Sequence, residues 1–127
     1  MSRPDTDLLQ DIADAIKSIR SHLQHGPISV EIVMDAVAMR LLEIGEAVKG
    51  LSQEATATEA EVDWRGIAGM RDFLAHHYFA TNPKIIQLTI DKRLPLLSDA
   101  VNRILTRLDT TEGSAASGPN AAPTDAN

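Results

Sequence analysis

The spacing of apolar residues constrains the fold more than any other feature, because they recur every three or four positions through most of the chain. In residues 6–24 the repeating apolar positions are Leu8, Ile12, Ile16, Ile19 and Leu23. In residues 29–51 they are Val30, Met34, Val37, Leu41, Ile44, Val48 and Leu51. This period matches one face of an α-helix, so each segment is predicted to form an amphipathic helix.

The second of these helices is expected to lie at the centre of the molecule. Further apolar residues widen its apolar surface beyond one stripe, which indicates helix partners on two sides. Gly45 would let a neighbouring backbone approach closely. One of Asp5, Thr6 and Asp7 is expected to cap the first helix, because their side-chain oxygens accept backbone N–H groups, and Ser29 is expected to cap the second.

A third long helix is predicted after a polar connection. Residues 52–61 have no strong apolar period and are expected to form a loop or frayed turn. The helix that follows has Asp63 as its N-cap candidate and is ended by residues 80–83, which contain Asn and Pro.

The remaining sequence predicts the end of the domain. A short helix is expected to begin at Pro83, and a longer helix is expected to have Pro95 in its first turn. Alternatively, the two segments could form one kinked helix. Residues 1–110 are therefore predicted to form a single all-α domain, an up-and-down bundle of four to five helices. Residues 111–127 are small, polar and unpatterned, so we expect a disordered C-terminal tail.

The composition restricts the available chemistry and the compartment. There is no Cys, which excludes disulfides, thiolate nucleophiles and zinc–thiolate sites and fits a reducing compartment. Aromatic residues make up only 3%, so aliphatic side chains must fill the core. The chain has no apolar run of signal-peptide length and none that approaches the ~20 residues needed to span a membrane. We therefore expect a cytoplasmic protein with no membrane association.

The net charge of −6 is unevenly distributed along the chain. Residues 1–63 contain five Lys/Arg and twelve Asp/Glu, whereas residues 64–108 contain seven Lys/Arg and three Asp. The locally basic half could contact phosphate while the other half repels it. The acidic net charge therefore does not exclude an RNA substrate, although most of these charges are expected simply to face solvent.

The segment RDFLAHHYF, residues 71–79, places titratable groups at the end of the third long helix. At about 100° per residue, Arg71 and Tyr78 fall on one stripe of the helix and Asp72 and His76 on another. His77 points about 100° away from His76. On an ideal helix one protomer would therefore not direct all these groups to one point. Either the helix end is distorted or a second chain supplies the missing groups, and the geometry favours a dimer.

These residue types suit the chemistry of phosphodiesters. Arginine binds phosphate bidentately, and histidine can transfer protons near neutral pH. Metal-free RNA cleavage needs a base for the 2′-hydroxyl, an acid for the leaving 5′-oxygen and cations that stabilise the phosphorane. Two copies of His76 across a dimer axis could be base and acid, with His77 as the alternative. We expect neither a metal nor a cofactor.

A purely structural role is the competing interpretation. Arg71 and Asp72 could instead be held in salt bridges between helices, which is the commoner fate of such residues. The candidate partners on the second helix are Arg40, Glu43 and Glu46. His76 could be a surface or capping group, and Tyr78 and Phe79 could be core anchors. The chain would then be only a helical dimer.

The motif formed by Arg71, His76 and Tyr78 resembles the R-x4-H-x-Y motif of the HEPN superfamily, specifically the HepT-like toxins that accompany minimal nucleotidyltransferase antitoxins. The resemblance extends to VAMRLLEIGEAVKGLS, similar to the family's central helix, and to VDWRGIAGMRD, similar to the segment that leads into the motif. LPLLSDAVNRIL is similar to the final helix. Altogether the resemblance covers about residues 6–108.

The resemblance implies a HEPN-type bundle that dimerises with its motifs facing each other and acts as a metal-independent ribonuclease toxin of a type VII-like toxin–antitoxin pair. Arg71 and His76 would be the catalytic pair. Asp72 would be the polar residue that the family often places after the arginine. Apart from the resemblance, His77 and Glu46 are further supporting candidates. Tyr78 would be the hydroxyl that the partner nucleotidyltransferase modifies with AMP, which would block RNA by charge and bulk.

His77 departs from the family pattern, which more often has a small or acidic residue there. Which histidine faces the cleft is therefore open. The alternative function is a non-catalytic HEPN module that docks a nucleotidyltransferase and contributes nucleotide or substrate contacts.

Overall fold

A computed structural model describes residues 3–116 of the chain, with side chains through residue 111. The helices are α1 (Asp5–Leu23), α2 (Glu31–Gly50), α3 (Gln53–Ala57), α4 (Trp64–His77), α5 (Pro83–Leu88) and α6 (Leu94–Ala116). A 3₁₀ turn, Tyr78–Ala80, follows α4, and a π turn, Thr89–Arg93, joins α5 to α6. No strand occurs within this part of the chain. The predicted all-α fold is confirmed.

Helix α2 lies at the centre of the bundle, as its wide apolar surface predicted. It packs against α1 on one side and α4 on the other, and α1 packs in turn against α6. The largest fully buried side chains are Leu9, Ile12, Ile16, Ile19, Val37, Ile44, Ile86, Leu97 and Val101. The core is therefore aliphatic. Among the described helices, none is both long and apolar enough to cross a membrane.

The apolar periods of the first two helices identified their buried faces, and Val30 is the one residue of these two stripes that is exposed. On α1, Leu23 is only partly buried but still packs against the core, whereas the other four stripe residues are buried. On α2, Val30 is 40% exposed because the helix begins after it, at Glu31.

The predicted caps of the first two helices are wrong. Pro4 occupies the N-cap position of α1, and Asp5 is already helical. The Asp5 carboxylate instead accepts hydrogen bonds from the backbone N–H and the hydroxyl of Ser52, at 3.0 and 2.6 Å. Before α2 the chain forms a turn, in which Val30 N–H donates to Pro27 O at 2.9 Å. The helix therefore begins after Val30, and Ser29 is too early to cap it.

The connection between α2 and α4 contains a helix where we predicted a loop. Ser52 caps α3 by accepting a hydrogen bond from Ala55 N–H at 3.1 Å. Asp63 caps α4, as predicted, by accepting from Gly66 N–H at 3.0 Å. The start of the motif-bearing helix is therefore fixed locally by its own sequence.

A buried carboxylate ties this connection to α6. Glu59 is 4% exposed and accepts hydrogen bonds from Arg103 and Arg107, at 2.7 and 2.9 Å. These bonds, with that of Arg103 the larger effect, hold the pKa of Glu59 below its ordinary value despite burial. The indole N–H of Trp64 donates to the main-chain oxygen of Glu59 at 3.0 Å. This cluster positions the first turn of α4.

The C-terminal helices form one continuous helical run with a π turn inside it. Asn82 caps α5 by accepting a hydrogen bond from Lys84 N–H at 2.9 Å, and Pro83 occupies the first turn as predicted. Pro95 lies in the first turn of α6, also as predicted. Helix α6 continues to Ala116, past the expected domain boundary at residue 110. The part of the predicted disordered tail beyond Ala116 lies outside the described residues.

Candidate functional site

Arg71 lies where α4 crosses α2, and it is held in a fixed position. Gly45 lets the backbone of α4 approach closely, as the sequence predicted, and it also leaves room for the Arg71 side chain. The Nε atom of Arg71 is 3.0 Å from a Glu46 carboxylate oxygen, and its Nη1 atom is 3.1 Å from Asp72 Oδ1. The Arg71 side chain is 31% exposed, so solvent and solutes still reach it.

Asp72 links Arg71 to a second cation on α2. Its Oδ1 atom is 3.0 Å from Lys49 Nζ. The hydrogen bonds from Lys49 and then Arg71 hold the pKa of Asp72 below its ordinary value. Glu46, Arg71, Asp72 and Lys49 thus form a row of alternating charge, which we call the charge row.

The sequence motif does not include Lys49. It lies three positions after Glu46 and so on the same face of α2, a spacing that could have identified it.

His76 lies on the exposed face of α4, one turn after Asp72. Its Nδ1 atom is 2.8 Å from the main-chain oxygen of Asp72. A carbonyl oxygen only accepts hydrogen bonds, so Nδ1 carries a proton, and Nε2 of the neutral ring is left as a free acceptor. The hydrogen bond therefore fixes both the orientation and the tautomer of His76.

The ring of His77 lies near the rings of both Phe73 and His76. Its ring centroid is 5.5 Å from that of Phe73 and 6.5 Å from that of His76. His77 is also the last residue of α4, with φ −136° and ψ 34° in the turn that follows. Its ring therefore packs beside an aromatic side chain and does not join the charge row.

Tyr78 contacts α2 at a position well separated from Arg71. Its hydroxyl donates a hydrogen bond to the carboxylate of Asp35. Burial is the main cause that raises the pKa of Tyr78 to about 12, and the hydrogen bond to Asp35 adds to it. Asp35 and Glu46 are three helical turns apart on α2, roughly 16 Å at 1.5 Å per residue. Asp35 was not identified from the sequence.

A groove of about 910 Å³ lies beside the charge row, between α1, α2 and α4. Arg71 and Glu46 line one wall, whereas Asp11 and Asp14 of α1 line another. His76 does not line it. A single protomer therefore presents its candidate base to solvent, outside this groove.

The structure brings together only some of the predicted site residues. Arg71, Asp72 and Glu46 meet in the charge row, and His76 is bonded to the Asp72 main chain. The hydroxyl of Tyr78 bonds to Asp35 instead, and the ring of His77 packs beside Phe73, 6.5 Å from the ring of His76. The purely structural interpretation is also supported in part, because Arg71 forms the salt bridge with Glu46 that it predicted. Glu43 pairs instead with Arg40 of its own helix at 3.0 Å.

Among the described residues, no group of three or more His, Asp or Glu side chains is arranged to hold a metal ion.

The chain matches the family model described as Ribonuclease HepT-like over residues 9–104. A protein of Thermococcus cleftensis named Probable ribonuclease HepT is 31% identical over 110 residues, which cover 82% of this chain and 98% of that protein. A protein of Caldanaerobacter subterraneus subsp. tengcongensis named as a candidate RNase is 47% identical over 74 residues. That alignment spans 58% of this chain and 66% of the relative.

A third relative, also named as a candidate RNase, comes from Methanocaldococcus jannaschii and is 33% identical over 89 residues, or 70% of this chain and 74% of its own. No solved structure gives a significant match. The family match spans α1 to α6 and includes the whole of the Arg71–Tyr78 motif. The chain therefore belongs to the HepT-like ribonuclease family.

Proposed function

We propose that the protein is a metal-independent endoribonuclease toxin, whose site is formed by Arg71 and His76 from two subunits of a homodimer. The observation that carries the proposal is the hydrogen bond from His76 Nδ1 to the Asp72 main chain, at 2.8 Å. It leaves Nε2 free on an exposed face next to the charge row. Such an imidazole can accept a proton from an RNA 2′-hydroxyl without any metal.

The charge row provides the cations that a phosphodiester requires. Arg71 and Lys49 are now paired with Glu46 and Asp72 on the surface, where such pairs contribute little stability. An RNA phosphate can therefore compete with these carboxylates at small cost, and the planar guanidinium of Arg71 can bind it bidentately. As the phosphorane forms, its added negative charge strengthens these contacts.

A dimer supplies the second imidazole. In one subunit His76 takes the 2′-hydroxyl proton through Nε2 as the 2′-oxygen attacks phosphorus. The protonated His76 of the partner subunit donates its proton to the departing 5′-oxygen as the P–O bond breaks. Within a protomer His77 is a poor substitute, because its ring packs beside Phe73.

The outer face of α4 supports such a dimer. Phe73, 44% exposed, lies on this face beside Asp72 and His76. The side chain of Phe79, just after the helix, is fully exposed at 101%. Large aromatic side chains are typical of the centres of protein interfaces and would be covered when two copies of α4 meet. The same contact brings two copies of His76 towards one axis.

The test is cleavage of single-stranded RNA by the purified protein in the presence of a chelator. We expect cleavage to persist, and His76→Ala to reduce its rate by at least about 100-fold, the usual contribution of a general base or acid. His77→Ala is the matched control and should retain activity. Undiminished cleavage by His76→Ala, or strict dependence on a metal, would contradict the assignment.

Inactivation is proposed to occur by transfer of AMP to Tyr78 by a minimal nucleotidyltransferase, the antitoxin of a type VII-like pair in the cytoplasm. The Tyr78 hydroxyl is held at the surface by Asp35 and belongs to the same helix end as His76. Added AMP places anionic bulk beside the path of the RNA backbone. Tyr78→Phe should cleave RNA normally but incorporate no AMP and escape inactivation.

The second candidate function is a non-catalytic module that docks a nucleotidyltransferase and contributes nucleotide or substrate contacts. The observation that favours it is that Arg71 and Lys49 are both already paired with carboxylates. Expression without a partner separates the two proposals. Arrested growth supports the toxin, whereas normal growth together with co-purification of a nucleotidyltransferase supports the docking module.

A further inference from the structure

The hydroxyl of Tyr78 has a specific hydrogen-bond partner that the ribonuclease chemistry does not use. It donates to the carboxylate of Asp35, which lies in the second turn of α2. Tyr78 itself lies in the 3₁₀ turn after α4, where its ring packs against the core and its hydroxyl end reaches α2. Core residues thus hold the ring of Tyr78, while the exposed Asp35 carboxylate holds its hydroxyl oxygen.

We propose that Asp35 is the general base that accepts the Tyr78 proton when the hydroxyl is modified with a nucleotide. This inference rests on the proposed inactivation of the enzyme at Tyr78. It adds a catalytic role for a residue of the modified protein itself, on a helix distant in sequence from the motif. The modifying enzyme would then bind the nucleoside triphosphate, and the protein that is modified would itself provide the general base.

The group transfer is a displacement at the α-phosphorus of ATP. The phenolic oxygen of Tyr78 forms a new bond to that phosphorus, and the bond from phosphorus to the oxygen bridging to the β-phosphate breaks. Pyrophosphate leaves with the electron pair of the broken bond, and the phenolic proton passes to the Asp35 carboxylate. Protein kinases use an aspartate in the same way to accept the proton of a substrate hydroxyl.

The electrostatics of the hydroxyl explain why a base is needed. Burial, the hydrogen bond to Asp35 and the negative charges of Asp35 and Glu31 together raise the pKa of Tyr78 to about 12. The hydroxyl therefore stays protonated at neutral pH and cannot react as a preformed phenolate. Its proton must leave while the new bond forms, and the Asp35 oxygen already accepts that hydrogen bond.

The first measurement needs no partner protein. Tyr78 is the only tyrosine in the chain, so an ultraviolet absorbance titration reports its ionisation directly. Asp35→Asn keeps an oxygen that can accept the hydrogen bond but removes the charge, so the pKa of Tyr78 should fall towards 10, the ordinary value for tyrosine. Glu31→Gln removes a nearby negative charge that is not hydrogen-bonded to Tyr78, so it should lower the pKa of Tyr78 less. An unchanged titration in Asp35→Asn would overturn the inference.

The second measurement compares rates of AMP transfer. With ATP and a minimal nucleotidyltransferase that modifies the wild-type chain, Asp35→Asn should slow transfer about 100-fold, as expected for loss of a general base. Glu31→Gln should transfer at the wild-type rate or faster. If Asp35 were only a structural partner, its neutralisation would remove repulsion of the anionic triphosphate, and transfer would be unchanged or faster. That result would overturn the inference.

A third arm separates this inference from the proposed inactivation. Adenosine 5′-phosphorimidazolide, a chemically activated AMP donor, is offered to the protein without any enzyme. Wild-type protein should be labelled at Tyr78 faster than Asp35→Asn at pH 7, and equal labelling would overturn the role of Asp35. A wild-type chain that reacts with this donor but is left unmodified by nucleotidyltransferases would contradict the inactivation and not the base. Circular dichroism verifies that each variant is folded.

Discussion

Gly45 of α2 lies directly against the side chain of Arg71 of α4, so closely that a Cβ atom at Gly45 would fall 2.2 Å from the Arg71 Cβ. The same Cβ would be 3.2 Å from the main-chain oxygen of Ile67, so the backbone as well as the side chain limits the space. The absence of a side chain at Gly45 therefore sets the crossing of the two helices. That crossing in turn places the Arg71 guanidinium against Glu46.

Gly45→Ala should consequently damage both stability and activity. The added methyl group must push α2 and α4 apart, and overpacking of this kind typically costs about 1–3 kcal/mol of unfolding free energy. Urea denaturation measures the loss. Gly69→Ala is the matched control, because no heavy atom lies within 4 Å of its added Cβ. We expect it to be neutral or to stabilise the protein by up to about 1 kcal/mol, since alanine favours a helix. Equal stability of both variants would show that the crossing is not so tight.

Glu59 should make the stability of the protein depend on pH in acid. Its pKa is lowered in the folded state, so it contributes stability above its ordinary value of 4.5, and this is lost as the pH falls through the lower folded value. Glu59→Gln should lower the urea midpoint at pH 7 but differ less from wild type at pH 3. Fluorescence of Trp64, the only tryptophan, follows unfolding around Glu59, whose main-chain oxygen accepts the indole N–H. A difference that stays constant with pH would contradict this role.

The fold was largely predictable because the positions of the long helices depend on apolar periodicity, a local property. The predictions failed where a tertiary contact competed with local capping. Asp5 has the side-chain chemistry of an N-cap, but its carboxylate bonds to Ser52, just after the C-terminus of α2. Helix α1 therefore begins without a side-chain cap. Helix α3 was missed because it has too few residues to show a period, although Ser52 is a recognisable N-cap.

The candidate site was predictable only along α4. Helical angles alone place Asp72 and His76 on one stripe, and the structure joins them by a hydrogen bond. The same angles place His77 on another stripe, although its ring lies only 6.5 Å from that of His76. The residues of α2 that contact α4 depend on the relative position of the two helices along their axes, which apolar periodicity does not determine. Lys49 and Asp35 were therefore missed, although each lies on the α2 face that contacts α4 or the turn after it.

Lys49 should act as a phosphate contact. Lys49→Gln is expected to weaken RNA binding uniformly across sequences and to reduce the slope of log affinity against log salt by about 0.7, the value for one phosphate contact on a single strand. Lys17→Gln changes the same charge on α1 and is the control, with the slope unchanged. Fluorescence anisotropy with labelled RNA at several salt concentrations measures both. Identical slopes for the two variants would remove Lys49 from the site.

Arg71→Lys should show that the shape of the guanidinium matters as well as its charge. Lysine keeps the positive charge but cannot bind phosphate bidentately. We expect a loss of at least tenfold in kcat, roughly the effect of 1.4 kcal/mol on a barrier, with a smaller change in RNA affinity. Single-turnover cleavage and binding measurements separate the two effects. Wild-type kcat in Arg71→Lys would mean that Arg71 acts only through its charge.

The most direct test of the two-subunit site is the activity of mixed dimers. One subunit carries His76→Ala and a purification tag, the other is wild type, and only the mixed species is assayed on RNA with chelator present. Because one composite site requires both imidazoles, the mixed dimer should be about 100-fold less active than the wild-type dimer. Half of the wild-type activity would show that each subunit cleaves RNA by itself and would contradict the account.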